Sequence, residues 1–67
     1  MQVTKGMRIE YRDNGPAMTG VVLGVEATRF GSHANVRWTH PELGTWEDTV
    51  PLNSIESGHY RVLLALV

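Results

Sequence analysis

The sequence predicts an all-β fold: a small barrel of five short antiparallel strands, with one short 3-10 turn before the last strand. Three observations predict it. Turn formers recur at short intervals, at Asp13-Asn14-Gly15-Pro16, Gly31-Ser32-His33, His40-Pro41-Glu42-Leu43-Gly44 and Val50-Pro51-Leu52-Asn53-Ser54. Asn and Gly tolerate positive φ and Pro fixes φ, so each cluster ends an extended run. Between the clusters, apolar and polar residues alternate with a period of two in several places. No segment has both the length and the 3.6-residue period of a helix. The best helical rival, residues 21–30, carries Gly24 and the β-branched Val21, Val22 and Val25, all poor helix formers.

The first strand is expected over residues 7–12, where Met7, Ile9 and Tyr11 share one face and Arg8, Glu10 and Arg12 the other. This is the pattern of a sheet with one wet face. The second, residues 19–28, is longer and contains Gly20 and Gly24. Glycines inside a strand mark bulges or the sharp bends of a small barrel. In the third, residues 34–39, Ala34, Val36 and Trp38 face in while Asn35, Arg37 and Thr39 face out. In the fourth, residues 45–50, Trp46 and Val50 alternate against Thr45, Glu47 and Thr49, and Asp48 breaks the pattern on the Trp46 side. Pro51 cannot donate to a ladder, so residues 51–55 form a single helical turn. Residues 60–65 make the last strand. One core is expected from Met7, Ile9, Val22, Val36, Trp38, Ile55 and Val62.

Size and composition bound the function. A chain of 67 residues allows one domain, spanning 1–67, and a chain this short buries only about 60% of the surface exposed when unfolded. With no cysteine, disulfides and thiolate metal sites are excluded. The longest apolar run, residues 62–67, has six residues against the roughly 20 a membrane helix needs. Behind Met1 there is no apolar signal-peptide region, so a cytoplasmic protein is expected. Net charge is −1, unevenly spread. Residues 1–37 carry five basic and three acidic side chains, whereas residues 38–60 carry four acidic and no Lys or Arg. A dedicated nucleic-acid binder shows a basic excess, which this chain lacks overall.

The turn spacing and the glycine-bearing second strand resemble the SH3-like small-barrel superfamily. Gly6-Met7-Arg8-Ile9-Glu10, Gly15 and Gly20-Val21-Val22-Leu23-Gly24-Val25 are similar to the opening of KOW and Tudor-type modules. Ala17, Gly20, Val22, Gly24, His40-Pro41 and the run Val50-Pro51-Leu52-Asn53-Ser54-Ile55-Glu56 also resemble the type II plasmid-borne dihydrofolate reductases, over roughly residues 6–56. The second resemblance implies a tetramer with one central pore. In those enzymes a Val-Gln-Ile-Tyr strand contacts folate and nicotinamide. Here the matching stretch, Gly44-Thr45-Trp46-Glu47-Asp48-Thr49, has no Gln or Tyr. Its carboxylates would repel anionic ligands four times over.

No constellation for chemistry emerges. His33, His40, Glu42, Asp48 and His59 lack a common metal-ligand spacing. Ser32, Ser54 and Ser57 carry no nucleophile elbow, and Gly20-Val21-Val22-Leu23-Gly24 lacks the lysine of a phosphate loop. Glu42, Glu47 and Asp48 read as an exposed acidic hairpin. No catalytic, cofactor or metal residues are therefore assigned.

Among the aromatics, Trp38 and Trp46 are in phase with core positions, leaving Tyr11 and Phe30 for external contact. Phe30 sits beside Arg29 and the Gly31 turn, placed to stack on a base or a peptide. The run Val62-Leu63-Leu64-Ala65-Leu66-Val67 is apolar on both strand faces. A lone barrel covers only one of these, and soluble proteins rarely leave such a stripe open.

The expectation is thus a non-catalytic binding module engaging a protein partner, with Tyr11, Arg12, Arg29, Phe30 and Arg37 as partner-binding residues. It is also expected to self-associate through Leu63, Ala65 and Val67. Two alternatives stay open: a KOW-like nucleic-acid binder using Arg8, Arg12, Arg29 and Arg37, and an oligomeric enzyme of the type II reductase kind. Short single barrels of this kind are frequent among phage and mobile-element proteins.

Overall fold

Five stretches of the chain form strands: β1 (Arg8–Tyr11), β2 (Met18–Thr28), β3 (Gly31–His40), β4 (Gly44–Pro51) and β5 (Arg61–Leu63), with a helix α1 (Leu52–Glu56) between the last two. The computed structural model describes residues 3–12 and 15–63. All pairings are antiparallel, in one sheet of order β4-β3-β2-β1-β5. The expected all-β architecture is therefore present, each strand within a few residues of its expected place. Part of the Asp13-Asn14-Gly15-Pro16 turn, and residues 64–67, lie outside the described residues. Ladder hydrogen bonds do not close the sheet among the described residues, because β4 and β5 are its two edges.

Register explains the core. One row crosses all five strands, running Trp46, Trp38, Gly20, Ile9, Val62. A second runs Asp48, Val36, Val22, and the Val22 N–H donates to the Met7 carbonyl at 2.9 Å. Side chains along a row share a face, so these rows line the inner surface. Ile9, Val22, Val36 and Ile55 are fully buried, Trp38 nearly so, and Met7 and Val62 pack against them. The expected core is present, joined by Val3, Ala34 and Val50. Each fully buried aliphatic side chain contributes about 1.5–3 kcal/mol.

Both glycines of β2 act locally. The β2–β3 register shifts between Val22 and Gly24, a bulge that adds twist to the long strand. Gly20 sits directly beneath the Trp38 ring. A Cβ there would lie 2.6 Å from Val36 Cγ1 and 2.8 Å from Trp38 Cε3, so only glycine lets the indole lie flat against β2.

The single turn after Pro51 is α-helical, which corrects the expected 3-10 geometry. The Ser57 N–H reaches back four residues to the Asn53 carbonyl at 2.9 Å. The helix then ends in a Schellman arrangement. The His59 N–H donates to Ser54 O and the Gly58 N–H to Ile55 O, with Gly58 at φ 93°. That left-handed residue costs glycine little and turns the chain towards β5.

Candidate functional site: an aromatic cleft on the inner face

The inner face of the sheet carries more rings than the core can cover. Tyr11 lies opposite Met18 on β2. Continuing the β1–β5 register, in which Ile9 faces Val62, brings Tyr60 opposite Tyr11. Their ring centroids are 5.5 Å apart, tilted by 45°. Tyr60 also meets Trp38, at 5.7 Å and 32°. These spacings suit tilted aromatic pairs, worth about 0.5–1.5 kcal/mol each beyond burial. Trp38 belongs to β3, and β2 and β1 stand between it and β5. The contact is possible only because the sheet curls over its inner face.

Tyr11, Met18, Trp38, Trp46, Asp48 and Tyr60 line a cleft of ≈ 240 Å³. Trp38 is its buried floor, while Tyr11, Met18, Trp46 and Tyr60 are half-buried and Asp48 is exposed. Trp46 thus departs from the core role its phase suggests: β4 is an edge strand, so its inward residues near the rim are covered on one side only. Asp48, the residue that broke the alternation, supplies the cleft's carboxylate. Its Oδ1 accepts the Thr49 N–H at 2.8 Å. The Tyr60 hydroxyl is harder to ionise than usual, first because burial disfavours the phenolate, then because Tyr11 and Asp48 lie close.

The expected partner-binding residues do not converge. Tyr11 lies in the aromatic cleft. Arg12 sits beyond it, 4.0 Å from Glu10. Arg37 stands on the outer face, 3.8 Å from Glu47, in the row Leu63, Arg8, Val21, Arg37, Glu47. Arg29 and Phe30 form the tip of the β2–β3 hairpin, at the far end of β2 from Tyr11. Phe30 is 92% exposed, as external contact requires. Leu63 is half-buried on the outer face, in register with Arg8; Ala65 and Val67 lie outside the described residues. Glu42, Glu47 and Asp48 are exposed.

Sequence reasoning missed Met18, Trp46 and Tyr60 as cleft residues. Parity alone would have put Trp46 and Asp48 on one face with Trp38. Parity with Val62 in the expected last strand would likewise have put Tyr60 on the inner face, but its meeting with Trp38 depends on the curl of the sheet. Among the described residues no three His, Asp or Glu side chains are grouped to hold a metal ion, and no helix is long and apolar enough to cross a membrane. No family model, curated protein or solved structure matches the chain.

Proposed function

We propose that the protein is a non-catalytic binding module of SH3-like barrel type, acting in the cytoplasm, which docks a segment of a partner protein in its aromatic cleft. The observation that carries this reading is the half-exposed state of Trp46, Tyr11 and Tyr60 around a buried Trp38. Rings held by a rigid sheet but left partly open offer large contact area at small entropic cost, as recognition surfaces do. Carboxylates beside Arg12 and Arg37 weaken the case for phosphate as the main target. The same reading includes self-association through the outer face of β5, where Leu63 stands.

The experiment is selection of peptides from a displayed random library on the immobilised protein, with bound peptides mapped by amide and indole chemical shifts. Peptides that move the Trp46 and Tyr60 signals, and lose binding in a folded Trp46→Leu variant, support the reading. Selection of no peptide, or of peptides indifferent to Trp46→Leu, overturns it.

A further inference from the structure

Of the two sheet edges, β4 is the longer among the described residues. Its eight residues span roughly 26 Å. Its register with β3 runs from Gly44 to Pro51 without a shift, so the bulge that twists β2 has no counterpart here. The strand carries no Lys, and no Pro before its last residue. Its free backbone groups can be assigned. Successive residues of a strand turn their N–H and C=O groups to alternate sides. Pro51 has no N–H to give β3, and the Thr49 N–H is taken by Asp48 Oδ1 at 2.8 Å. By this alternation Thr45, Glu47 and Thr49 present their backbone groups away from β3. A long, regular edge of this kind is a template for a further strand.

A second β4 matches it. About a two-fold axis at Glu47, Thr45 of one copy faces Thr49 of the other and Glu47 faces Glu47, so every free position pairs antiparallel. On the inner face the same register sets Asp48 opposite Trp46 of the second copy. Asp48, exposed in the single chain, would then lie between that indole and Val36, its neighbour on β3. The other acidic strand residues have basic neighbours: Glu10 lies near Arg12, Glu26 near His33 and Glu47 near Arg37. Among the described residues no cation pairs with Asp48. Covering an unpaired carboxylate costs the hydration it loses.

We infer that Asp48 guards the open edge of β4, keeping it from pairing with β4 of a second copy of the chain. It acts twice. Its charge points to the inner side, where pairing would strip it of water. Its carboxylate also occupies the Thr49 N–H, one of the donors that pairing needs. Glu47 does neither, because it stands on the outer face, 3.8 Å from Arg37. The one residue that breaks the inner-face alternation of β4 thus sits where an inward charge protects an edge.

The test compares the wild-type chain with Asp48→Val, Asp48→Asn and Glu47→Gln. Sedimentation over a range of concentrations gives the strength of association. Amide hydrogen exchange at Thr45 and Glu47 locates the contact. Asp48→Val is expected to associate at least about tenfold more tightly than wild type, with new protection at both amides. Asp48→Asn, which keeps an acceptor for the Thr49 N–H, should shift less in the same direction, and Glu47→Gln not at all. The inference is overturned if neither Asp48 variant gains protection at Thr45 and Glu47; should Asp48→Val fail to fold, Asp48→Asn decides alone. Tighter association without that protection, as through the outer face of β5, overturns it too. So does an equal shift in Glu47→Gln, since the loss of any β4 charge would then suffice.

Discussion

The two ends of β2 are built on different principles. At the Met18 end the strand is flanked by β1 and β3, and the inner-face rings of Tyr11, Trp38 and Tyr60 touch one another. At the Thr28 end it pairs with β3 alone. β4 stops at Pro51, opposite His33, so the pairs Ala27–Ser32 and Thr28–Gly31 and the Arg29-Phe30 loop project past the sheet. Local hydrogen bonds hold that tip: Thr28 Oγ1 accepts from the Phe30 N–H at 3.2 Å and donates to the Gly31 carbonyl at 2.8 Å. Both ends display aromatic surface, but only one has its rings fixed by packing. Exposure and fixed placement are therefore separate properties of a surface ring. Phe30 is the most exposed ring, yet the half-buried rings form the preorganised surface, and preorganisation lowers the entropic cost of binding.

The sharpest way to break this contrast is at Gly20. Gly20→Ala drives a methyl group into Val36 and the Trp38 ring. Overpacking of this kind costs about 1–3 kcal/mol, and at roughly 4–8 °C per kcal/mol for a domain this small the melting temperature should fall by at least several degrees. Circular dichroism melts check this. An unchanged melting point would mean that the cleft floor is less tightly packed than the register implies.

A smaller effect is expected in alkali. The Tyr60 phenol is pushed above its ordinary value of 10.0 by burial, with Tyr11 and Asp48 adding to the effect. In the unfolded chain it would ionise near the ordinary value. Below that pH both states keep the proton and the contribution to stability is complete. As the pH rises through the folded value, the unfolded state gains by releasing its proton first and stability is lost. Tyrosinate absorbance in a Tyr11→Phe background should show Tyr60 ionising later than a free tyrosine, and Asp48→Asn should bring it earlier. Titration at the free-tyrosine value would contradict the packed cleft.

The smallest effect should come from the projecting tip. Phe30→Ser removes a ring that is 92% exposed, and surface changes away from packed features stay within about ±0.5 kcal/mol. Chemical denaturation should give the same midpoint as wild type. A clear loss would show that Phe30 is covered in solution, by a second copy or by the chain itself.

How far these ends were legible in the sequence follows from the range of the forces involved. The strands were legible because alternation is local: Met7-Arg8-Ile9-Glu10-Tyr11 and Ala34-Asn35-Val36-Arg37-Trp38 state their own faces. Gly20 and Gly24 announced irregularity in β2, though not which would bulge and which would pass under a ring. The cleft was harder to read. Asp48 looked like a defect in β4 because parity was judged against a core, and parity does not say where the core stops covering a face. The meeting of Tyr60 with Trp38 depends on curvature summed over three strand pairings. The helical turn was legible from Pro51, but its α geometry was set by the Ser57–Asn53 bond and the Gly58 ending, which no propensity distinguishes in five residues.

Gly58 has a further consequence. Between the end of α1 at Glu56 and the start of β5 at Arg61 the chain has four residues, all committed: Ser57 and His59 close hydrogen bonds, Gly58 reverses the path, and Tyr60 lands in the cleft. Side chains alternate along a strand, so the connection works as a ruler. One residue more or fewer, carried into β5, would present His59 or Arg61 where Tyr60 now stands and exchange the phenol for an imidazole or a guanidinium. Most surface loops absorb a change in length as slack. Here the same change would replace the ring that meets Tyr11 and Trp38, so the packing of the cleft fixes the length of this connection.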